Sequence, residues 1–211
     1  MINPYREVFS MNRIATWLLI VFATVSVVAS GAGQATACVG KTLVIGTTPS
    51  AQQQLLAEIV SLLISERTGT TVKIERFEGA DETHQAQMRA EVDITIGYTG
   101  EGWVRVLQEA PAEDAQALFD QIKERYNKEL NLIWLQPFGF EHPSSVSAEV
   151  ADQVAPVVRK DTLKKFPALA RLINKLGGVI DNENLSALDG QVQERAMRDV
   201  ARDFLRDNRL I

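Results

Sequence analysis

Short apolar runs alternate with segments of helical periodicity along most of this chain. Leu55, Ile59 and Leu63 recur at four-residue spacing, which predicts the buried face of a helix over 51–67. Val72 and Ile74 instead alternate with charged neighbours, as is typical of a half-buried strand. The same patterns predict strands at 41–47, 71–77, 92–98, 130–135 and 154–158.

Predicted helices separate and follow these strands. Pro111 opens one of them, which carries Leu118, Ile122 and Tyr126 as an apolar stripe. Residues 99–102 are predicted to form a turn. The predicted helices cover 51–67, 81–90, a long segment from Pro111, 161–176, 182–189 and 191–207. Alternating strands and helices predict an α/β fold, with a single doubly wound, mostly parallel sheet and helices on both faces.

A short polar junction, residues 141–153 (EHPSSVSAEVADQ), separates the last two predicted strands. A parallel pair needs a crossover of about a dozen or more residues, usually a helix. These thirteen residues are too short and polar for a good crossover helix. We therefore expect the fourth and fifth strands to be antiparallel, or to meet only at their ends.

The first 37 residues differ in kind from the rest. Arg6 and Arg13 precede an apolar stretch over 14–29, and Ala35-Thr36-Ala37 ends the small, polar stretch after it. These are the parts of a secretory signal. We therefore expect residues 1–37 to be removed and residues 38–211 to form one extracytoplasmic α/β lobe. Retention as a membrane anchor, and a lipid anchor at Cys38, stay open as alternatives.

Composition narrows the function further. The net charge of −5 and the lack of a basic run argue against nucleic acid as a partner. The chain has two histidines and no G-x-S-x-G, Cys/His pair or metal-spaced cluster, so no enzyme activity, metal or cofactor is predicted. His84 and His142 are expected to be ordinary surface residues. Trp103 and Trp134 are expected to pack internally, with lining of the Tyr98 loop as the alternative for Trp103.

Candidate site residues lie where predicted strands end, because ligands of open α/β sheets bind outside the carboxyl ends of the strands. Thr47, Thr48 and Ser50 precede a helix and could seat a carboxylate, although Ser50 could equally be its N-cap. Asp81 either caps the next helix or faces a cation. Tyr98 either offers its ring to a cation or packs in the core.

Four stretches carry a family resemblance: 43–59 (LVIGTTPSAQQQLLAEI), 78–102 (EGADETHQAQMRAEVDITIGYTGEG), 130–140 (LNLIWLQPFGF), and 154–180 continuing through 202–211. In this order they resemble the substrate-binding proteins of glycine betaine, choline and related osmoprotectant ABC importers. The resemblance implies one lobe of a type II periplasmic-binding-protein fold. It also implies ligand-binding roles at Gln53, Gly79 and Tyr98. Together with the strand-end residues Thr47, Thr48, Asp81 and Thr99, these are the predicted ligand-binding residues.

The sequence departs from the family pattern at the junction and in the first loop. The family enters a whole second lobe after the F-G-F stretch, so residues 141–153 imply that this lobe is absent. Thr48 and Ser50 replace a lysine and an aromatic residue, and Ala80 stands where threonine is common.

The resemblance implies a solute-binding component of an ABC importer for glycine betaine, choline or a similar quaternary ammonium osmolyte, working with a transporter permease. A lone lobe is expected to bind its solute weakly. The alternative is a protein-interaction module whose exposed half-cleft forms a homodimer or binds a transporter component.

Overall fold

The structure, a computed structural model, describes residues 42–111, 114–144, 146 and 152–211. The predicted signal, residues 1–37, and Cys38 lie outside the described residues. Within them, the strands are β1 Leu43–Thr47, β2 Val72–Arg76, β3 Ile94–Tyr98, β4 Leu132–Trp134, β5 Glu141–His142 and β6 Asp152–Arg159. Every predicted strand is therefore present, and β5 is a short addition inside the predicted junction.

The helices within the described residues are α1 Ala51–Thr68, α2 Ala80–Met88, α3 Thr99–Glu101, α4 Ala115–Arg125, α5 Lys160–Lys165, α6 Leu169–Ile173, α7 Asn182–Gln191 and α8 Met197–Asp207. Wider π-helical turns, Gly102–Val106 and Tyr126–Leu130, extend α3 and α4. The turn predicted at 99–102 is thus wrong, because these residues begin a helix.

Three predicted helices begin or divide elsewhere than expected. The helix predicted at 191–207 begins at Met197, as α8. Asp114 caps α4, its carboxylate accepting a hydrogen bond from the Ala117 N–H at 2.6 Å, so the described helix starts after Pro111 rather than at it. The helix predicted at 161–176 is split into α5 and α6 around Phe166. This residue precedes a proline, whose ring disfavours the α conformation of its neighbour.

The sheet has the strand order β2-β1-β3-β6-β4. β1 pairs in parallel with both β2 and β3, whereas β6 is antiparallel to β3 and to β4. β6 is therefore the one reversed strand of this order, and the expectation of a mostly parallel sheet is confirmed.

The predicted junction is a hairpin. β4 and β6 pair antiparallel, with Trp134 opposite Val157, as expected for the fourth and fifth strands. β5 continues the pairing, with His142 opposite Asp152. β5 thus pairs with the first two residues of β6 and extends the sheet beyond β4.

Apolar clusters cover both faces of the sheet. Successive residues of a strand point to opposite faces, and in β6 Val154 and Val158 join the larger cluster while Ala155 and Val157 join the smaller. The larger cluster includes the buried faces of α1 and α8, and the smaller includes that of α4. Helices on both faces are thereby confirmed. No helix among the described residues has the length and apolarity needed to cross a bilayer.

Candidate functional site

A cavity lies at the carboxyl ends of β1, β2 and β3, where the topology rule predicts a ligand. Its outer compartment has a volume of about 350 Å³, and a smaller inner compartment has about 70 Å³. Thr48, Gln53, Ala80, Tyr98, Glu101 and Arg105 line both compartments. Of the residues predicted from sequence, Thr48, Gln53, Gly79, Asp81 and Tyr98 meet here.

The loop between β1 and α1 is closed by its own side chains. The Gln53 side-chain oxygen accepts hydrogen bonds from the Thr48 hydroxyl at 3.0 Å and from the Thr48 N–H at 3.3 Å. The Ser50 hydroxyl accepts from the Gln53 N–H, so the N-cap alternative for Ser50 is confirmed. The backbone N–H groups of Thr48 and Gln53 are therefore already bonded, and the carboxylate seat at the start of α1 stays a prediction. Thr47 is buried beneath this loop and does not line the cavity.

Tyr98 is the aromatic centre of the cavity. Its hydroxyl donates to the Gln52 side-chain oxygen at 3.0 Å, which holds the ring at the end of β3. Burial raises the pKa of Tyr98 to about 12, although a side-chain hydrogen bond with Gln53 acts in the opposite direction. The phenol therefore stays neutral at physiological pH. Tyr98 is 8% exposed and belongs to the larger apolar cluster, as in the core-packing alternative, and it also lines both compartments.

The start of α2 forms the wall beyond β2. Gly79 occupies the N-cap position with an extended backbone, and a Cβ there would touch nothing within 4 Å. The prediction that Asp81 caps this helix is wrong, since Asp81 lies in its first turn. Glu82 instead accepts a hydrogen bond from the Glu78 N–H at 2.8 Å. Asp81 is exposed and lines the inner compartment, which leaves its carboxylate available to a cation.

Thr99 and Gly100 tie the end of β3 to the hairpin. The Thr99 hydroxyl accepts from the Gln153 N–H at 3.0 Å, so this predicted site residue is buried and lines neither compartment. The Gly100 N–H donates to the Asp152 carboxylate at 2.6 Å, and Ser144 also bonds to this carboxylate. Burial nevertheless raises the pKa of Asp152 above its usual range, because desolvation outweighs the two hydrogen bonds.

Acidic side chains dominate the charge of the lining. Glu101 and Asp81 line the inner compartment, while Glu78, Glu101 and Asp152 line the outer one. Arg105 is the sole Lys or Arg of this lining, and it forms no ion pair within the described part of the chain. A cavity with several carboxylates and one guanidinium suits a cation, or a zwitterion whose acidic end faces Arg105.

Both histidines were misjudged from sequence. His142 lines the outer compartment, and its ring meets that of Tyr98 edge-on, with centroids 5.0 Å apart. His84 is half-buried and lines the inner compartment, where burial lowers its pKa. The prediction of ordinary surface residues is therefore wrong. The available sequence signal was the predicted antiparallel pairing of the strands that flank the junction, which could have placed His142 near the end of β3.

Trp103 and Trp134 pack internally, as predicted. Trp103 is buried and its indole N–H donates to the Ala110 carbonyl at 2.8 Å, away from the cavity. Trp134 packs edge-on against Phe119 and Tyr126 and also lines the inner compartment. Its indole N–H is buried without a hydrogen-bond partner among the described residues. Those residues also hold no group of three or more His, Cys, Asp or Glu side chains that could bind a metal.

The chain is similar in sequence to known solute-binding proteins. A family model described as the substrate binding domain of ABC-type glycine betaine transport systems matches residues 41–144 and 141–207. The ergothioneine transport permease/ergothioneine binding protein EgtU of Helicobacter pylori (strain G27) is 33% identical over 134 residues, 62% of this chain and 22% of that protein. The carnitine transport binding protein OpuCC of Listeria monocytogenes serotype 1/2a (strain 10403S) is 27% identical over 158 residues, 73% of this chain and 46% of that protein. The chain thus spans about half, or less, of the length of these relatives.

Solved structures share the fold. The crystal structure of a glycine betaine/carnitine/choline ABC transporter aligns with a TM-score of 0.72 at 14% identity, over 81% of this chain and 98% of that one. Apo YehZ from Escherichia coli also aligns at 0.72, with 15% identity, over 82% of this chain and all of that one. At these identities the likeness concerns the fold alone, and it confirms the predicted α/β class.

Proposed function

We propose a function on the premise that the chain belongs to the family of substrate-binding domains of ABC-type glycine betaine transport systems. The chain acts as the extracytoplasmic solute-binding component of an ABC importer and takes a small quaternary ammonium solute. The observation that carries this proposal is the placement of the Tyr98 ring in a cavity whose charged lining residues are mainly acidic. Glycine betaine, choline and carnitine are the first solutes to test, and ergothioneine joins them because of the similarity to EgtU.

The lining suggests an orientation for the solute. A trimethylammonium group placed against Tyr98 would also lie near the carboxylates of Glu101 and Asp152, which line the same compartment. Ring and carboxylates both favour a cation at this position. The carboxylate of a betaine would then extend toward Arg105, the guanidinium of the lining. Choline lacks that carboxylate, so we expect it to depend less on Arg105.

We expect the isolated chain to bind weakly. A cation–π contact contributes about 0.5–1 kcal/mol when exposed and about 2 when desolvated. Micromolar affinity requires about 8 kcal/mol. Small-molecule sites usually bury about 70–90% of the ligand surface. A site built by one lobe leaves part of its ligand exposed, so a dissociation constant above the micromolar range is expected.

The absence of a second lobe is part of the proposal. The family model matches in two segments that meet at residues 141–144, within the junction. The hairpin of β5 and β6 gives the physical reason that a short connection suffices, because the two strands already lie side by side. We also propose removal of residues 1–37 as a signal and docking of the lobe on a transporter permease.

The structure gives the interaction-module alternative little support. That alternative needs an apolar face, and Met88 is the large hydrophobic residue exposed among those described, at 45%. Met88 lies beside Leu130 and Asn131, before the start of β4, rather than at the cavity. A strict monomer in light scattering at high concentration is therefore expected, and a dimer that dissociates when the solute binds would favour the alternative.

Isothermal titration and thermal shift with the four solutes test the function. At least one quaternary ammonium solute should raise the melting temperature, because a ligand of the folded state stabilises it by mass action. Tyr98→Ala should weaken binding by roughly twofold to thirtyfold, the equivalent of one cation–π contact. Tyr98→Phe is the matched control, since it keeps the ring and removes the hydroxyl. Equal binding by Tyr98→Ala and the wild-type chain would refute the proposed site.

A further inference from the structure

The hairpin that closes the junction supplies one side of the cavity. His142 lies at the end of β5 and Asp152 at the start of β6, and both line the outer compartment with Tyr98. Tyr98 belongs to β3, so the two walls come from parts of the chain that are more than forty residues apart. The junction is therefore more than a connection between strands, because its side chains contribute to the site.

Several contacts hold His142 in this place. His142 pairs with Asp152 across the hairpin, and Asp152 in turn accepts the Gly100 N–H at 2.6 Å. The Gln153 N–H, next along β6, donates to Thr99. The first two residues of β6 are thus attached to the segment that directly follows Tyr98, and β5 pairs with these same two residues. As a result, the two rings meet edge-on with centroids 5.0 Å apart.

The hydrogen bond of the His142 imidazole selects which tautomer the neutral ring adopts. His142 Nδ1 lies 2.8 Å from the Pro143 carbonyl oxygen, which can only accept a hydrogen bond. Nδ1 therefore carries the proton, and Nε2 keeps its lone pair in the neutral ring. A neutral imidazole presents a π face and an acceptor to the cavity wall, and neither repels a quaternary ammonium ion.

We propose that His142 forms a second aromatic wall of the cation site, beside Tyr98, and that the Asp152 carboxylate completes this wall. The inference rests on the proposed function and adds a binding residue supplied by the junction hairpin. The ligand class is a quaternary ammonium head group, which favours aromatic faces and carboxylates together. The hairpin would thus give a site built by one lobe a second aromatic contact, from His142.

Substitutions that separate ring chemistry from packing test the proposal. His142→Leu keeps apolar bulk and should weaken choline or betaine binding by roughly twofold to thirtyfold in isothermal titration. His142→Phe keeps an aromatic face and should stay within about threefold of the wild-type chain by the same contact. Glu141→Gln is the matched control, because Glu141 is exposed on the same hairpin and does not line the cavity. It should bind within about twofold of wild type, as expected of a screened surface charge.

The outcomes distinguish this inference from the proposed function. Equal affinities of the Leu and Phe variants would overturn it, because a purely packing role predicts that result. Tighter binding by His142→Leu than by wild type would also overturn it, since the imidazole would then be covering the Tyr98 ring. If Tyr98→Ala loses binding while His142→Leu does not, the function stands and the inference fails. If no quaternary ammonium solute binds the wild-type chain, the function itself fails. Melting temperatures without ligand check that each variant is folded.

Discussion

Gly100→Ala tests the contact that joins the hairpin to the cavity. A methyl group at this position would lie 2.7 Å from the Ser144 hydroxyl oxygen, 2.9 Å from a Val146 methyl and closer still to the Asp152 carboxylate. Real Cβ atoms essentially never approach other atoms this closely, so something must shift. The Asp152 carboxylate cannot retreat without losing the Gly100 N–H, its partner at 2.6 Å.

The size of the stability change follows from three effects, of which two destabilise the variant and one stabilises it. Overpacking a well-filled site costs about 1–3 kcal/mol. Loss of a hydrogen bond to a charged group costs about 1.5–3 kcal/mol. Alanine in place of glycine in a helix restores about 1 kcal/mol. The clash and the lost bond outweigh the helical preference, so we expect a net loss of about 1.5–5 kcal/mol in the free energy of unfolding, as these terms imply.

Urea unfolding followed by circular dichroism measures this loss. Gly190→Ala is the matched control, because Gly190 lies in α7 and a Cβ there would touch nothing within 4 Å. That variant should gain up to about 1 kcal/mol. Gly100→Ala should also cost less when Asp152 is alanine, since the two positions are in contact. If Gly100→Ala were as stable as Gly190→Ala, the proposed attachment of the hairpin would be wrong.

The remaining predictions concern buried polar groups. Because burial raises the pKa of Asp152, the folded chain holds this proton more tightly, and its stability falls as pH rises through the interval above the usual carboxyl pKa of about 4. Asp152→Asn should remove this dependence, raise the free energy of unfolding at neutral pH and weaken cation binding. A slope that persisted in the urea midpoints of this variant across pH would contradict the prediction. Burial lowers the pKa of His84, so stability should fall as pH drops below about 6.5, and His84→Gln should flatten the curve there. Trp134→Phe removes a buried N–H that has no partner among the described residues. It should lower the free energy of unfolding by less than about 1.5 kcal/mol, whereas Trp134→Ala should lower it by about 3–5 kcal/mol. Similar melting temperatures for the two variants would contradict this prediction.

Local pattern was enough to predict the elements and part of the site. Apolar alternation and helical spacing located every strand of the main sheet, and the short polar junction predicted that β4 and β6 run antiparallel. Tyr98 was recognised at a strand end because ligands of such sheets bind there. Element boundaries were less accurate where local competition decides them, as at Phe166 before proline and at Asp114, which caps α4.

The tertiary structure decided which side chains share the cavity. Asp152 lies 52 positions from Gly100 and reaches it only because β6 runs back beside β3. His142 meets Tyr98 for the same reason, and nothing in the local sequence of either residue contains that pairing. Periodicity is a property of neighbouring residues, so the sequence by itself determined the strands, the helices and the end of the sheet where a ligand belongs. The composition of the site depends on contacts between distant segments, and only the folded sheet brings those segments together.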